Sequence, residues 1–220
     1  GDTDGVFQLE SGGMKRFMRE LKPGNLEDII AGISLFRPGP MKAIPQYIAN
    51  KNDPEHIKYK HPLLESLLNV TYGTIIYQEQ VMGIVQKLAG FSLGQADIIR
   101  RAMGKKNVDE MKRQRLKFIY GDKDENGNVL IEGALARGVP EEVAADIFDE
   151  MADFAKYAFN KSHAAAYAVL AYQTAYLKAL YPQEFLAAVL NNRINNIVEI
   201  TKYVVYLKER DIKVLPPDIN

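Results

Sequence analysis

The sequence has no cysteine and only three histidines, His56, His61 and His163, among 220 residues. A disulfide framework and a thiolate metal site are therefore excluded, and histidines at unrelated spacings do not make a zinc site. The missing thiols fit a reducing compartment. Net charge is also missing, with 28 basic side chains balancing 28 acidic ones. The most apolar stretch, 164–179, is rich in alanine and carries Gln173, Thr174 and Lys178. It reads as a buried helix of a water-soluble fold, with no membrane role. The first five residues have neither the basic region nor the apolar core of a signal peptide, and there is no initiator Met. The sequence therefore reads as a piece of something longer. Catalytic signatures are absent as well: no Walker loop, no Gly-x-Ser-x-Gly elbow and no Cys–His pair. Metal-assisted phosphoryl transfer needs clustered carboxylates around two ions about 4 Å apart. The candidates, Glu10, Glu79 and Asp97, are scattered singly. Alone, the chain is expected not to catalyse.

What is present is segregated charge. Between Asp97 and Lys117 eight basic residues face three acidic ones, whereas Glu141 to Asp153 holds six carboxylates and no base. The local field, not the total, decides what a surface attracts, and the basic stretch points to a phosphate-rich ligand. A content of 47% hydrophobic residues suffices for a buried core, in one large domain or two small ones.

Helical punctuation dominates. A helix is expected to start after Ser11 and run to about Leu21, stopped by Lys22-Pro23-Gly24, with a second to about Leu35 capped by Asn25 with Asp28. Arg37-Pro38-Gly39-Pro40 is a rigid corner. Helices follow near 41–50 and 61–68, with a polar loop between them. A brief extended segment at 74–77 precedes a helix over 78–89. Ser92 caps the next helix, which ends at Met103 with Gly104 as terminator, and Asn107 with Glu110 opens a charged helix to about Tyr120. Asn126-Gly127 before Val129-Leu130-Ile131 signals a hairpin at about 122–131. Pro140 opens a helix to about Lys156, and Ser162 caps a long one to Leu180. Helices at 183–191 and 197–210 and an edge strand at Val214-Leu215 complete a mainly α fold with one small β-hairpin insertion. A sub-division is expected near 104–135.

Two segments carry the candidate chemistry. Arg100, Arg101, Lys105 and Lys106 bring four cations to a helix end and a glycine turn, a costly arrangement without an anionic partner. Planar guanidinium forks suit phosphate oxygens, and two adjacent arginines could serve two phosphates or one phosphate and a carboxylate. The plainer reading is a solvated helix end whose dipole welcomes cations. Asn160, Lys161, Ser162 and His163, with the free amides of a first helical turn, could converge on one anion. A structural histidine near a helix start is the alternative. Tyr77-Gln78-Glu79-Gln80, at a helix start, faces a ligand or merely caps. Arg37 offers an exposed guanidinium at its corner, or sits in a simple loop. Lys112, Arg113 and Arg115 form a basic helix face able to track a nucleic-acid backbone, though such faces are usually only solvated.

Six ordered segments carry a resemblance: Gly5-Val6-Phe7-Gln8-Leu9-Glu10-Ser11, Leu35 to Pro40, Thr71-Tyr72-Gly73 with Ile76 to Met82, Arg100 to Lys106, Phe159 to Tyr167, and Leu215 to Asn220. Together they resemble the fingers region of the bacterial replicative DNA polymerase III α subunit, a C-family polymerase, across the whole chain. The resemblance implies a fragment of a template-directed DNA polymerase that positions the incoming dNTP and contacts DNA. It implies Mg²⁺ in the full-length enzyme, held by aspartates of a palm domain that lies N-terminal to this segment. It implies dNTP contacts at Arg100, Arg101, Tyr157, Asn160, Lys161, Ser162 and His163, and DNA contacts at Arg37, Gln78, Lys105, Lys106, Lys112, Arg113 and Arg115. Implied partners are primer–template DNA, dNTP, the palm and other domains of the same polymerase, and replicase subunits bound through other regions, all in the bacterial cytoplasm at the nucleoid. The hairpin around 122–131 departs from the family pattern and reads as a lineage-specific surface feature. The competing class is a non-enzymatic helical nucleic-acid-binding or scaffolding module. A phosphohydrolase using His163 is disfavoured because no nucleophile or second acid/base pairs with it.

Overall fold

The computed structural model describes residues 1–104, 108–155 and 157–215. Among them the chain forms α1 (Gly12–Leu21), α2 (Leu26–Leu35), α3 (Ile44–Asn52), α4 (Glu65–Leu68), α5 (Gln78–Ala89), α6 (Leu93–Gly104) and α7 (Val108–Tyr120). Strands β1 (Asp122–Lys123) and β2 (Val129–Ile131) follow, then α8 (Glu141–Ala155), α9 (Lys161–Leu180), α10 (Pro182–Asn192) and α11 (Ile197–Lys208). Mainly α with one small hairpin is therefore the observed class. No described helix is long and apolar enough to cross a membrane.

Local signals account for many of the helix ends. The Asn25 side chain accepts from Asp28 N–H at 2.9 Å and caps α2. Ser92 Oγ accepts from Gln95 N–H while Gln95 Oε1 accepts from Ser92 N–H, a reciprocal capping box for α6. The hairpin pairs Asp122 with Ile131 and Lys123 with Val129. Its loop is organised by Asp124, whose carboxylate accepts from the backbone amides of Asn126 and Asn128.

Several expectations are corrected. The helix near 41–50 opens as a 3-10 turn over Pro40–Ala43 and runs on to Asn52, so the expected loop starts later. Asn160, not Ser162, caps α9: its Oδ1 accepts from His163 N–H at 2.9 Å and its carbonyl accepts from Ala164 N–H. Val214-Leu215 forms no strand. Asn107, Lys105, Lys106, Lys156 and Pro216 to Asn220 lie outside the described residues.

Two compact units emerge, with boundaries at 19/20 and 166/167. The larger, residues 20–166, is built around α5, which packs on α6, α7 and α8. Val81, Ile84, Val85 and Leu88 are fully buried there with Ile99, Phe118, Phe148 and Met151, and the Phe118 and Phe148 rings stand 5.4 Å apart. The segment joining β2 to α8 crosses the end of α7 at two glycines. A Cβ on Gly133 (φ +85°) would lie 2.3 Å from the backbone nitrogen of Gly121, itself at φ +87°.

The second unit is discontinuous, combining residues 1–19 with 167–220. Its core is Leu186, Tyr203, Tyr206 and Leu207. The N-terminal strap is tied to α9: Phe7 N–H donates to Thr174 Oγ1, Phe7 stacks 5.2 Å from Tyr167, and the buried Lys178 ammonium donates to Asp2 and to the carbonyl of Asp4. Tyr206 and Arg210 also donate to the Asp2 carboxylate. Partial burial would raise the Asp2 pKa, but the hydrogen bonds from Lys178, Tyr206 and Arg210 outweigh it and hold it well below the usual range.

Two outcomes follow from this packing. Gly133→Ala should destabilise the larger unit by about 2–4 kcal/mol, since both the backbone angle and the Gly121 contact oppose a Cβ, and a urea-melt midpoint checks it. The Asp2 carboxylate, with its folded pKa depressed, stabilises above the ordinary carboxylate pKa and loses that contribution as pH falls through the range below it. Asp2→Asn should therefore flatten the acid limb of stability between about pH 4 and 2 while lowering stability at pH 7, read by melting temperature against pH.

Candidate functional site

The arginine pair and the starts of α5 and α9 lie within the larger unit. The extended segment before α5 is paired with the segment before α9. Tyr77 and Phe159 form a parallel bridge, with Gln78 N–H donating to Phe159 O at 2.9 Å and Phe159 N–H donating to Ile76 O at 3.1 Å. The buried side chain of Gln80 fixes this edge from behind. Its Oε1 accepts from Ile76 N–H (2.8 Å) and Tyr77 N–H (3.0 Å), and its Nε2 donates to Thr71 Oγ1 (2.7 Å). Two stretches about eighty positions apart are thereby brought side by side.

The arginine pair hangs on this frame. Arg100 donates through Nε and Nη2 to Asp97 Oδ1 (2.9 and 2.7 Å) and through Nη1 to Gln78 Oε1 (3.0 Å). Gln78 Nε2 in turn reaches Ala158 O at 3.2 Å. Arg101 donates from Nε to Asp97 Oδ2 at 2.8 Å. One carboxylate thus serves both guanidinium groups, one oxygen each. The hydrogen bond from Arg100 holds the Asp97 carboxyl below the usual range, so it remains ionised. The anionic partner that the clustered cations require is on their own helix, at the i−3 and i−4 positions. The two arginines are not equivalent: the Arg100 side chain is 27% exposed and triply engaged, whereas Arg101 is 67% exposed.

The start of α9 differs from a row of free amides. Lys161 N–H donates to both oxygens of Glu79 at 3.1 Å, so a carboxylate already sits at that helix terminus, as the macrodipole favours. Asn160 is occupied as the cap. The Lys161 ammonium pairs with Glu27 at 3.0 Å and lies 5.4 Å from the Tyr77 ring centre. Ser162 and His163 are exposed on the first turn, with the His163 ring edge-on to Phe159 at 5.4 Å.

Arg37 does not project freely, as its corner position suggested. Its Nη2 donates to Tyr157 O at 2.7 Å, its Nε donates to Ser34 O, and its guanidinium carbon lies 4.2 Å from the Phe159 ring centre. Partial burial lowers its pKa. The corner also needs its glycine: Gly39 has φ +103°, and a Cβ there would come within 2.5 Å of the Tyr157 ring. Beside this ring a cleft of about 470 Å³ is lined by Lys42, Glu150, Asp153 and Phe154.

The structure thus brings Arg37, Gln78 and Arg100 to the 157–161 segment: Arg37 meets Tyr157, Gln78 meets Ala158 and Arg100 meets Gln78, while Asn160 and Lys161 share only that backbone and Arg101 joins through Asp97. The basic residues of α7 form a separate group, partly neutralised within the fold. Arg115 makes two bonds to Asp149 (2.9 and 3.0 Å) and Arg113 lies 3.3 Å from Glu110, while Lys112 is exposed. Residue types missed Asp97 and Glu79 as organisers, whereas the capping alternative for Tyr77 to Gln80 is the one that the Gln80 side chain fulfils. The i, i+3 and i+4 spacing of Asp97 with Arg100 and Arg101 was the available signal for the first.

These carboxylates do not fit Mg²⁺. Both Asp97 oxygens face arginines, both Glu79 oxygens accept an amide, and Glu10 is engaged by Tyr203 and Arg193. No described group of three acidic or histidine side chains could hold a metal ion.

Residues 1–126 match the family model described as the bacterial DNA polymerase III alpha subunit finger domain. The chain belongs to that family. Over its full length the finger-domain chain is 49% identical to the DNA polymerase III subunit alpha of Borreliella burgdorferi and 49% identical to that of Thermus aquaticus. It is 46% identical to that of Halalkalibacterium halodurans. It spans only 18%, 18% and 19% of the length of these relatives.

Gln80→Met in the finger domain keeps the side-chain volume but strands the Ile76 and Tyr77 amides in the interior. A loss of about 2–4 kcal/mol is expected, with faster hydrogen exchange at those two amides as the local check.

Proposed function

We propose that the 220-residue chain, as the fingers region of a DNA polymerase III α subunit, positions the triphosphate of an incoming dNTP in template-directed nucleotidyl transfer. The observation that carries this reading is the arginine pair on one aspartate. Asp97 and Gln78 hold Arg100 in a fixed orientation, and Asp97 holds the Nε side of Arg101 while leaving its outer edge to solvent. Such preorganisation means that the cations need little rearrangement when phosphate charge arrives. Arg101 is the leading triphosphate contact, Arg100 the supporting one. Ser162 and His163, exposed on the first turn of α9, and Tyr157 line the nucleotide's sugar and phosphate side. Lys161 and Asn160 act by shaping that turn.

Lys112, Arg113 and Arg115, with Lys105 and Lys106, bind the template or duplex backbone, where engaged pairs such as Arg115–Asp149 contribute less than exposed Lys112. Arg37 and Gln78 hold the frame on which such contacts depend. Catalytic carboxylates and the Mg²⁺ that they bind belong to the palm outside this segment, so the isolated chain is expected to be inactive. Its partners are primer–template DNA, dNTP and the other polymerase domains, with replicase subunits bound elsewhere, in the bacterial cytoplasm at the nucleoid. The alternative class, a helical nucleic-acid-binding module, would bind DNA with steep salt dependence and be indifferent to free dNTP.

The test is steady-state kinetics of the full-length polymerase. Arg101→Ala should raise the apparent KM for all four dNTPs about tenfold or more, a loss of one charge-assisted contact, with primer–template affinity within about twofold of wild type. Arg100→Ala should also raise it. Asp97→Asn should raise it less, through loss of orientation. An unchanged dNTP dependence in Arg101→Ala, together with weakened DNA binding, would favour the module reading instead.

A further inference from the structure

Helix α9 presents two unlike faces within the smaller unit. On one, Ala168 and Ala171 are buried, Thr174 accepts from Phe7 N–H, and Lys178 turns its ammonium to Asp2 and Asp4. On the other lie two adjacent rows at helical spacing, Val169, Tyr172, Tyr176 and Leu180, and Leu170 with Leu177. All six are 41–55% exposed. Tyr172 and Tyr176 stand 6.2 Å apart as a tilted pair. Between Tyr167 and Leu180 the only charged side chain is Lys178, which belongs to the opposite face. The result is roughly 600 Å² of neutral, largely apolar surface, at the upper end of what a monomer carries.

An exposed helix face whose polar groups are only the Gln173 amide and two tyrosine hydroxyls is suited to burial. The sequence predicts a buried helix, and in the structure this face of α9 is exposed. The surface carries no cation, which makes it unsuited to a phosphate backbone. Its paired tyrosines and leucines match the core of a protein–protein contact, where aromatic rings are enriched and charge is depleted. The chain accounts for 18% of the length of its relatives, so most of the folded polymerase lies outside it.

We infer that the face formed by Val169, Leu170, Tyr172, Tyr176, Leu177 and Leu180 is an intramolecular docking surface, covered by an apolar face of another domain of the same polymerase chain. The contact anchors the smaller unit through α9. It goes beyond the dNTP reading and rests only on family membership.

Hydroxyl-radical footprinting of the monomeric full-length polymerase, without DNA or nucleotide, tests it. Tyr172, Tyr176 and Leu177 should be labelled at least about tenfold more slowly than in the urea-unfolded chain, as slowly as the buried Tyr203. Leu177→Arg, introduced into the same full-length protein, should restore fast labelling of Tyr172 and Tyr176 with Tyr203 still protected. Fast labelling of the wild-type face overturns the inference. So does protection that disappears on dilution, which would assign the face to a second copy, or protection that needs primer–template DNA. None of these outcomes alters the dNTP kinetics, so the two readings fail separately.

Discussion

Two backbone hydrogen bonds, between Gln78 and Phe159 and between Phe159 and Ile76, carry more of the candidate site than any charged contact does. They place the start of α5 beside the start of α9. From that juxtaposition follow the Gln78 bridge to Ala158, the seat of Glu79 on the Lys161 amide and the stacking of Arg37 on Phe159. A single parallel bridge is weak as a sheet, since it has no flanking ladder. Gln80 compensates by satisfying the two amides on the inner side, which would otherwise be buried without partners.

Electrostatically, the chain handles its cations by giving them local counter-charges of limited reach. Asp97 neutralises half of the Arg100/Arg101 charge and at the same time restricts its orientation. Asp149 and Glu110 do the same for Arg115 and Arg113. Behind the zero net charge of the sequence stand short-range pairs such as these, in which Arg101 and Arg113 stay 67% and 68% exposed. Exposed pairs of this kind contribute little to stability. Their value lies in the direction in which they leave the guanidinium groups pointing.

The smaller unit depends on residues from both ends of the sequence. Asp2, at the N-terminal end, is held by Lys178, Tyr206 and Arg210, and Glu10 is held by Tyr203 and Arg193. These carboxylates join the strap to α9 and α11 by contacts over more than 170 positions. An alanine-rich helix is suited to the role: its small side chains let the strap approach closely on one side while larger apolar residues remain for the other.

Much of the secondary structure was legible from the sequence because caps and stops act over three or four residues. Asn25, Ser92 and the Asn126-Gly127 turn mark their elements by local hydrogen bonding and permitted backbone angles, which need no knowledge of the rest of the fold. The ordered motifs likewise located the candidate residues, and the charge pattern identified the arginine pair. What the sequence left open was decided by distance. Whether Asn160 or Ser162 capped α9 depended on where Phe159 was pinned. Whether Arg37 was free depended on Tyr157, which lies 120 positions away. Whether α9 was covered on both faces depended on what packs against it. Local signals determine elements, because their energetics close within one turn. Only tertiary structure determines which polar groups are already taken, because a hydrogen bond between distant residues leaves no periodic trace in the sequence.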